Sequence, residues 1–166
     1  MIPRDQTVII VEHELIATAA WGEHHNIEFT WLSEELVLRV MLTQPETAAS
    51  FFLAGHFSDY KELPPFWNFC ASNWLSSDSK NVFPKPKTTD NMPNSIFIAH
   101  GQGAVICVPF NRLAFGAHKG PHTDWTDPAQ WQTYAPDRAH AITIADMLNI
   151  IWMHFLATKG RMSDVG

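Results

Sequence analysis

Between residues 27 and 70 the apolar side chains fall into four short runs, and this stretch constrains the fold more than any other part of the chain. Ile27, Phe29 and Trp31 alternate with Glu28 and Thr30, and Leu36, Leu38, Val40 and Leu42 alternate around Arg39. A period of two is the mark of strands with one buried face. A third run, residues 51–57, follows the turn-like Gln44-Pro45-Glu46, and a fourth, residues 66–70, follows the rigid pair Pro64-Pro65. Short strands joined by short turns predict a four-stranded antiparallel meander.

Upstream, Val8, Val11, Leu15, Ile16 and Ala19 are spaced to share one helical face. The run Val8-Ile9-Ile10-Val11 would also suit a strand, but the longer spacing predicts a helix over residues 7–20. Downstream, residues 71–94 turn to Ser, Asp, Lys, Asn and Pro, and Phe83-Pro84-Lys85-Pro86 excludes a regular helix or central strand, so a long loop is expected. Residues 95–110 are apolar again, broken by Gly101-Gln102-Gly103, and a polar, histidine-containing loop follows to about residue 137. Thr143 and Asp146 fit a capping box before Ile144, Leu148, Ile151 and Phe155 at helical spacing, with Lys159 and Gly160 expected to mark that helix's end. No internal repeat is visible.

With 166 residues, 46% of them apolar, the chain suffices for one domain with one substantial core. The net charge is −6 with no lysine or arginine run, which argues against a nucleic-acid partner. No apolar stretch approaches the roughly 20 residues that span a bilayer, and Met1-Ile2-Pro3-Arg4-Asp5 lacks a signal peptide's layout, so a cytoplasmic, membrane-free protein is expected. In a reducing compartment the two cysteines, Cys70 and Cys107, are not expected to pair.

Two segments carry chemistry. One is Phe57-Ser58-Asp59-Tyr60-Lys61-Glu62-Leu63-Pro64-Pro65-Phe66-Trp67-Asn68-Phe69, in which a strand ends, a tyrosine follows and two prolines set the direction of the next strand. The other is Gly103-Ala104-Val105-Ile106-Cys107-Val108. Taken alone, Cys107 reads as a small buried hydrophobe. Taken together and in this order, the two segments resemble the ubiquitin-conjugating enzymes, over most of residues 5–158, with Trp125 or Trp131 and the helix from Thr143 in the places of that family's downstream tryptophan and helix.

The resemblance implies an α/β domain with an N-terminal helix, a four-stranded antiparallel meander, an active-site loop and a C-terminal helix. It also implies that Cys107 accepts the C-terminal acyl group of a ubiquitin-like protein from an activating enzyme, and that an amine of an acceptor protein then attacks the thioester. A thiol suits the task because it exchanges acyl groups with another thioester at little cost and yields them to amines. No metal or small cofactor is needed. The first helix and the proline-pair loop would be the docking surfaces for activating enzymes and ligases.

The sequence departs from the family at Lys61, where a proline usually follows the tyrosine, and in the His-Pro-Asn triplet before the cysteine, since Met92-Pro93-Asn94 lies too far upstream. Those departures, and the long loop after Cys107, are more similar to divergent bacterial members encoded beside their own activating enzyme, for which a part in antiviral defence follows by analogy. His100, seven residues before Cys107, is the candidate assistant, to stabilise a tetrahedral intermediate or deprotonate the amine. Whether His100, Asn94, Asn111, His118 or His122 assists Cys107 stays open on the sequence alone.

Two other readings remain. The fold without the chemistry would make a scaffold that binds a ubiquitin-like protein, and a buried Cys107 would favour it. His100, His118, His122 and Asp124 around zinc would make a hydrolase, although Gly120-Pro121 prevents the helix that would set His118 and His122 on one face. His24, His25, His56, His140 and His154 share no spacing and are expected on loops or the surface, and Cys70 is expected to be structural, within a strand.

Overall fold

A computed structural model describes residues 1–77, 79–87, 94–134 and 140–163. Helix α1 (Arg4–His25) leads into an antiparallel sheet of β1 (Phe29–Leu32), β2 (Val37–Thr43), β3 (Ser50–His56) and β4 (Phe66–Cys70), in that spatial order. Two two-stranded ribbons follow, β5 (Pro84–Pro86) with the late strand β8 (Thr158–Arg161), and the hairpin β6 (Phe97–His100) and β7 (Gly103–Ile106). Helix α2 (Ile144–Leu156) precedes β8. The molecule is therefore mixed α/β, with an N-terminal helix, a four-stranded antiparallel meander and a C-terminal helix, as the sequence patterns predict.

Strand alternation sorts the sheet into two faces. Leu38 pairs with Gly55 and Gly55 with Trp67; Val40 pairs with Leu53 and Leu53 with Phe69; Leu42 pairs with Phe51. All of these side chains enter the main core, where α2 adds Ile144, Met147, Leu148, Ile151 and Phe155. Phe155 meets Phe51 edge to face at 5.4 Å between ring centroids. Gly55 has no side chain for a packing reason, since a Cβ there would lie 2.7 Å from the Trp67 ring and 2.9 Å from Phe57. On the other face Cys70 joins Val37 and Ala54 in a small separate cluster, which fits its structural reading. Burial pushes the Cys70 thiol up from its ordinary value, partly opposed by Arg39.

Helix α1 is longer than predicted, and its buried face is rotated from the predicted one, keeping Val11 and Leu15 against the core but not Ile16. Its buried residues are Thr7, Val11, Thr18 and Gly22, whereas Ile9 and Ile16 are exposed. Val11, Ile10, Leu15 and Trp21 pack against the core, and two polar links tie the helix to α2: the Trp21 indole donates to Asn149 at 3.1 Å, and the Ile144 amide donates to Glu14 at 3.3 Å. Asn26 ends the helix in the left-handed conformation.

Three further boundaries differ from expectation. The segment read as a long loop contains β5, whose two prolines are accommodated on a two-stranded ribbon where few ladder N–H groups are needed. Helix α2 begins at the Thr143 cap, whose hydroxyl accepts from the Asp146 amide, but it stops at Leu156, and Lys159 and Gly160 belong to β8. Buried Gln44 braces that turn: its amide donates to Thr158 Oγ1 and the Gly160 carbonyl, and its oxygen accepts from the Gly160 amide at 2.7 Å. His24 and His25 lie in the last turn of α1, His56 ends β3 and His154 is within α2; none of the four is on a loop, but His24 and His56 are exposed, as expected, and His25 and His154 are half-buried.

Candidate active site

Cys107 stands immediately past the end of β7. Its amide donates to the Ile96 carbonyl at 2.7 Å, which carries the hairpin pairing one residue beyond the strand. The chain then leaves the ladder, with Val108 donating back to Ile106 and the buried Asn111 side chain donating to the Ile106 carbonyl at 2.7 Å. The same Asn111 side chain accepts from the Trp67 amide at 2.9 Å and caps the short 3-10 turn Arg112–Ala114. Asn111 thus ties the cysteine segment to β4, and its donor and acceptor are both committed to backbone.

Arg112 binds the other sequence segment of interest to this one. Almost wholly buried, it donates to the Pro64 carbonyl at 2.8 Å and the Ser58 carbonyl at 2.5 Å, and its guanidinium lies 4.2 Å from the Phe66 ring centroid. The proline-pair loop and the chain after Cys107 are therefore one structural unit, held by charge-assisted bonds.

From Arg112 the chain coils through a second 3-10 turn, Gly116–His118, reverses at Lys119 in the left-handed conformation and returns beside itself. Gly120 donates to the Phe115 carbonyl, His122 donates to the Ala114 carbonyl, and Gly116 donates to the His122 carbonyl, all between 2.9 and 3.1 Å. Backbone bonds on both sides thus fix His122. Its side chain points at the cysteine, with Nε2 2.7 Å from Cys107 Sγ. Trp125 stacks flat on the imidazole at 3.6 Å and 6°, and Tyr134 stacks in turn on Trp125 at 6.1 Å. Asp124 Oδ1 lies 3.6 Å from the free imidazole nitrogen, Nδ1.

Burial pushes the Cys107 thiol up to about 11, with the Asp124 carboxylate adding in the same direction. A sulfur held this high keeps its proton at neutral pH, and where it donates that proton to Nε2 the one N–H of the imidazole is on Nδ1, facing Asp124. A thiol and an imidazole at this distance can pass a proton from sulfur to nitrogen, which is what an attacking sulfur requires. Asp124 is mostly solvent-exposed, so ring stacking on Trp125 contributes more to fixing the imidazole than the carboxylate does.

The other candidates lie elsewhere. His100 closes the far end of the β6–β7 hairpin opposite Gly103, four residues from Cys107 or about 13 Å along an extended strand. Its Nε2 bonds to the Lys119 carbonyl at 2.9 Å, which braces the turn that presents His122. His118 packs edge to face on Phe66, and its pKa is lowered by burial and by Arg112. Asn94 is exposed, and Met92 and Pro93, read as part of a displaced triplet, lie outside the described residues. Among the described residues no three His, Cys, Asp or Glu side chains converge in a way that could hold a metal, so the zinc arrangement of His100, His118, His122 and Asp124 is not assembled.

No protein-family model matches this chain, and no curated protein or solved structure is significantly similar to it. No helix among the described residues is long and apolar enough to cross a membrane.

Proposed function

We propose that this protein is a conjugating enzyme of the ubiquitin type, which carries a ubiquitin-like protein as a thioester on Cys107 and passes it to an amine of an acceptor protein. The observation that carries the reading is the 2.7 Å contact between the partly buried Cys107 Sγ and His122 Nε2, one residue past the end of β7. A structural thiol has no need of a base. Cys70, packed among Val37 and Ala54, shows what such a thiol looks like in this same chain.

Two features lend support. The order of helix, four-stranded meander, cysteine segment and C-terminal helix follows the conjugating enzymes that the sequence resembles. The proline-pair loop is bonded through Arg112 to the chain that follows Cys107, as expected where both segments serve one site. Helix α1, with Ile9 and Ile16 exposed seven residues apart, offers the surface on which an activating enzyme would dock. A bacterial defence setting follows from the resemblance alone.

The reading is tested by mixing the protein with a candidate ubiquitin-like protein, its activating enzyme and ATP, and comparing reducing with non-reducing gels. A thiol-sensitive adduct, absent from Cys107→Ala, is the expected result. If the activating enzyme is charged and no such adduct forms, the chain is a scaffold for its partners and not a carrier.

A further inference from the structure

We propose that His122 is the general base for discharge of the acyl group from Cys107, and that the chain therefore transfers acyl groups to oxygen nucleophiles, water above all, without a second enzyme. This rests on the reading of Cys107 as an acyl carrier and adds an activity to it. The argument is one of proton timing. Loading the thiol needs a base whatever the acceptor, but a free amine then attacks the thioester through its own lone pair and can shed its proton afterwards, so discharge to an amine does not need a base beside the carbonyl. Water is a poor nucleophile until a proton is removed as the new bond forms, and a base must then stand beside the carbonyl.

His122 meets that requirement. Its Nε2 touches the atom that bears the acyl group, its backbone is bonded on both sides, and its ring is clamped by Trp125. Its side chain remains 32% exposed, so water can reach it. Asp124 faces Nδ1, which completes a Cys-His-Asp order of the kind used by acyl hydrolases on unrelated folds.

The steps balance without another reactant. In the first half, Sγ bonds to the carbonyl carbon of the donor, its proton moves to His122 Nε2, and the donor's leaving group departs with that proton. In the second half, a water oxygen bonds to the same carbon while Nε2 takes a proton from it. The carbon–sulfur bond then breaks, and the proton returns to sulfur, giving a carboxylic acid and the free thiol.

The test uses p-nitrophenyl acetate and the intact chain, and so needs neither modifier nor activating enzyme. The protein is acetylated in excess reagent, desalted, and followed by mass spectrometry with the modified residue mapped. Wild type should lose its acetyl group from Cys107, more slowly in D2O than in H2O. His122→Gln, with its melting transition checked against wild type, should hold the group about 100-fold longer. Equal decay in both proteins, or wild-type decay insensitive to D2O, would overturn the general-base proposal while leaving the carrier reading intact. Failure of Cys107 to be acetylated at all would remove both.

Discussion

Gly120→Ala tests whether the loop after Cys107 exists to deliver His122. A Cβ at residue 120 would lie 2.2 Å from the Ala114 carbonyl carbon, 2.3 Å from the Leu113 oxygen and 2.4 Å from the Ala114 oxygen, against 3.4 Å for ordinary contact. All three atoms are backbone, so no side-chain rotation relieves the overlap and the two strands of the loop must separate by about 1 Å. Ala114 is also the residue whose carbonyl accepts from the His122 amide, so the separation is passed directly to the imidazole. A displacement of ~1 Å from reactive geometry costs on the order of 100-fold in rate. Overpacking of this kind costs about 1–3 kcal/mol, or roughly 3–10 °C in melting temperature for a chain of this size. The assay pairs a thermal melt with the rate at which p-nitrophenyl acetate acylates Cys107. A folded variant that acylates as fast as wild type would refute the claim that this turn positions His122.

Other consequences follow from the same structure. Because the folded Cys107 thiol is held up to about 11 against an ordinary 9.0, the folded state binds its proton more tightly than the unfolded chain does; the stability contributed is full below about 9 and lost as pH rises through 11. Melting temperature should therefore fall over that window, and Cys107→Ala should flatten part of the slope. Arg112→Ala strands the Pro64 and Ser58 carbonyls and should destabilise the fold by about 3 kcal/mol in urea titrations, with Arg112→Lys failing to restore it because an ammonium cannot span both carbonyls and lie flat on Phe66. Gly55→Ala places a methyl against Trp67 and Phe57 and should cost about 1–3 kcal/mol by the same titration, with no change in the alkylation rate of Cys107 under native conditions.

The meander was legible because each strand has one buried face and each turn its own signal: Leu38, Val40 and Leu42 alternate with Arg39 and Met41, and Pro64-Pro65 sets up β4. The face of helix α1 is only partly legible because apolar periodicity marks burial only where the buried residues are apolar; Val11 and Leu15 pack as expected, Thr7, Thr18 and Gly22 carry no such mark, and exposed Ile16 carries a false one. The ribbon of β5 and β8 was hidden since its register depends on Gln44, more than 110 residues from the Thr158 and Gly160 groups that it satisfies.

The site was half legible. Cys107 stood out through its segment, whereas His100 drew attention by being near in sequence and His122 was one of several histidines. Fifteen residues separate His122 from Cys107, and the contact depends on a loop folded by backbone bonds that Gly116 and Gly120 permit. Two local features bear on that contact. Gly120 allows the close backbone approach to Ala114 two residues before His122, and Trp125 follows three residues later, where its ring can stack on the imidazole.

The central claim is that Cys107 accepts an acyl group by thioester exchange. It is tested most directly by offering the native protein a short peptide thioester and locating the adduct by peptide mapping. The account expects one peptide per chain, on Cys107, removed by added thiol, absent from Cys107→Ala and never found on buried Cys70. Modification of Cys70 alone, or no adduct while a free-cysteine control exchanges readily, would contradict it.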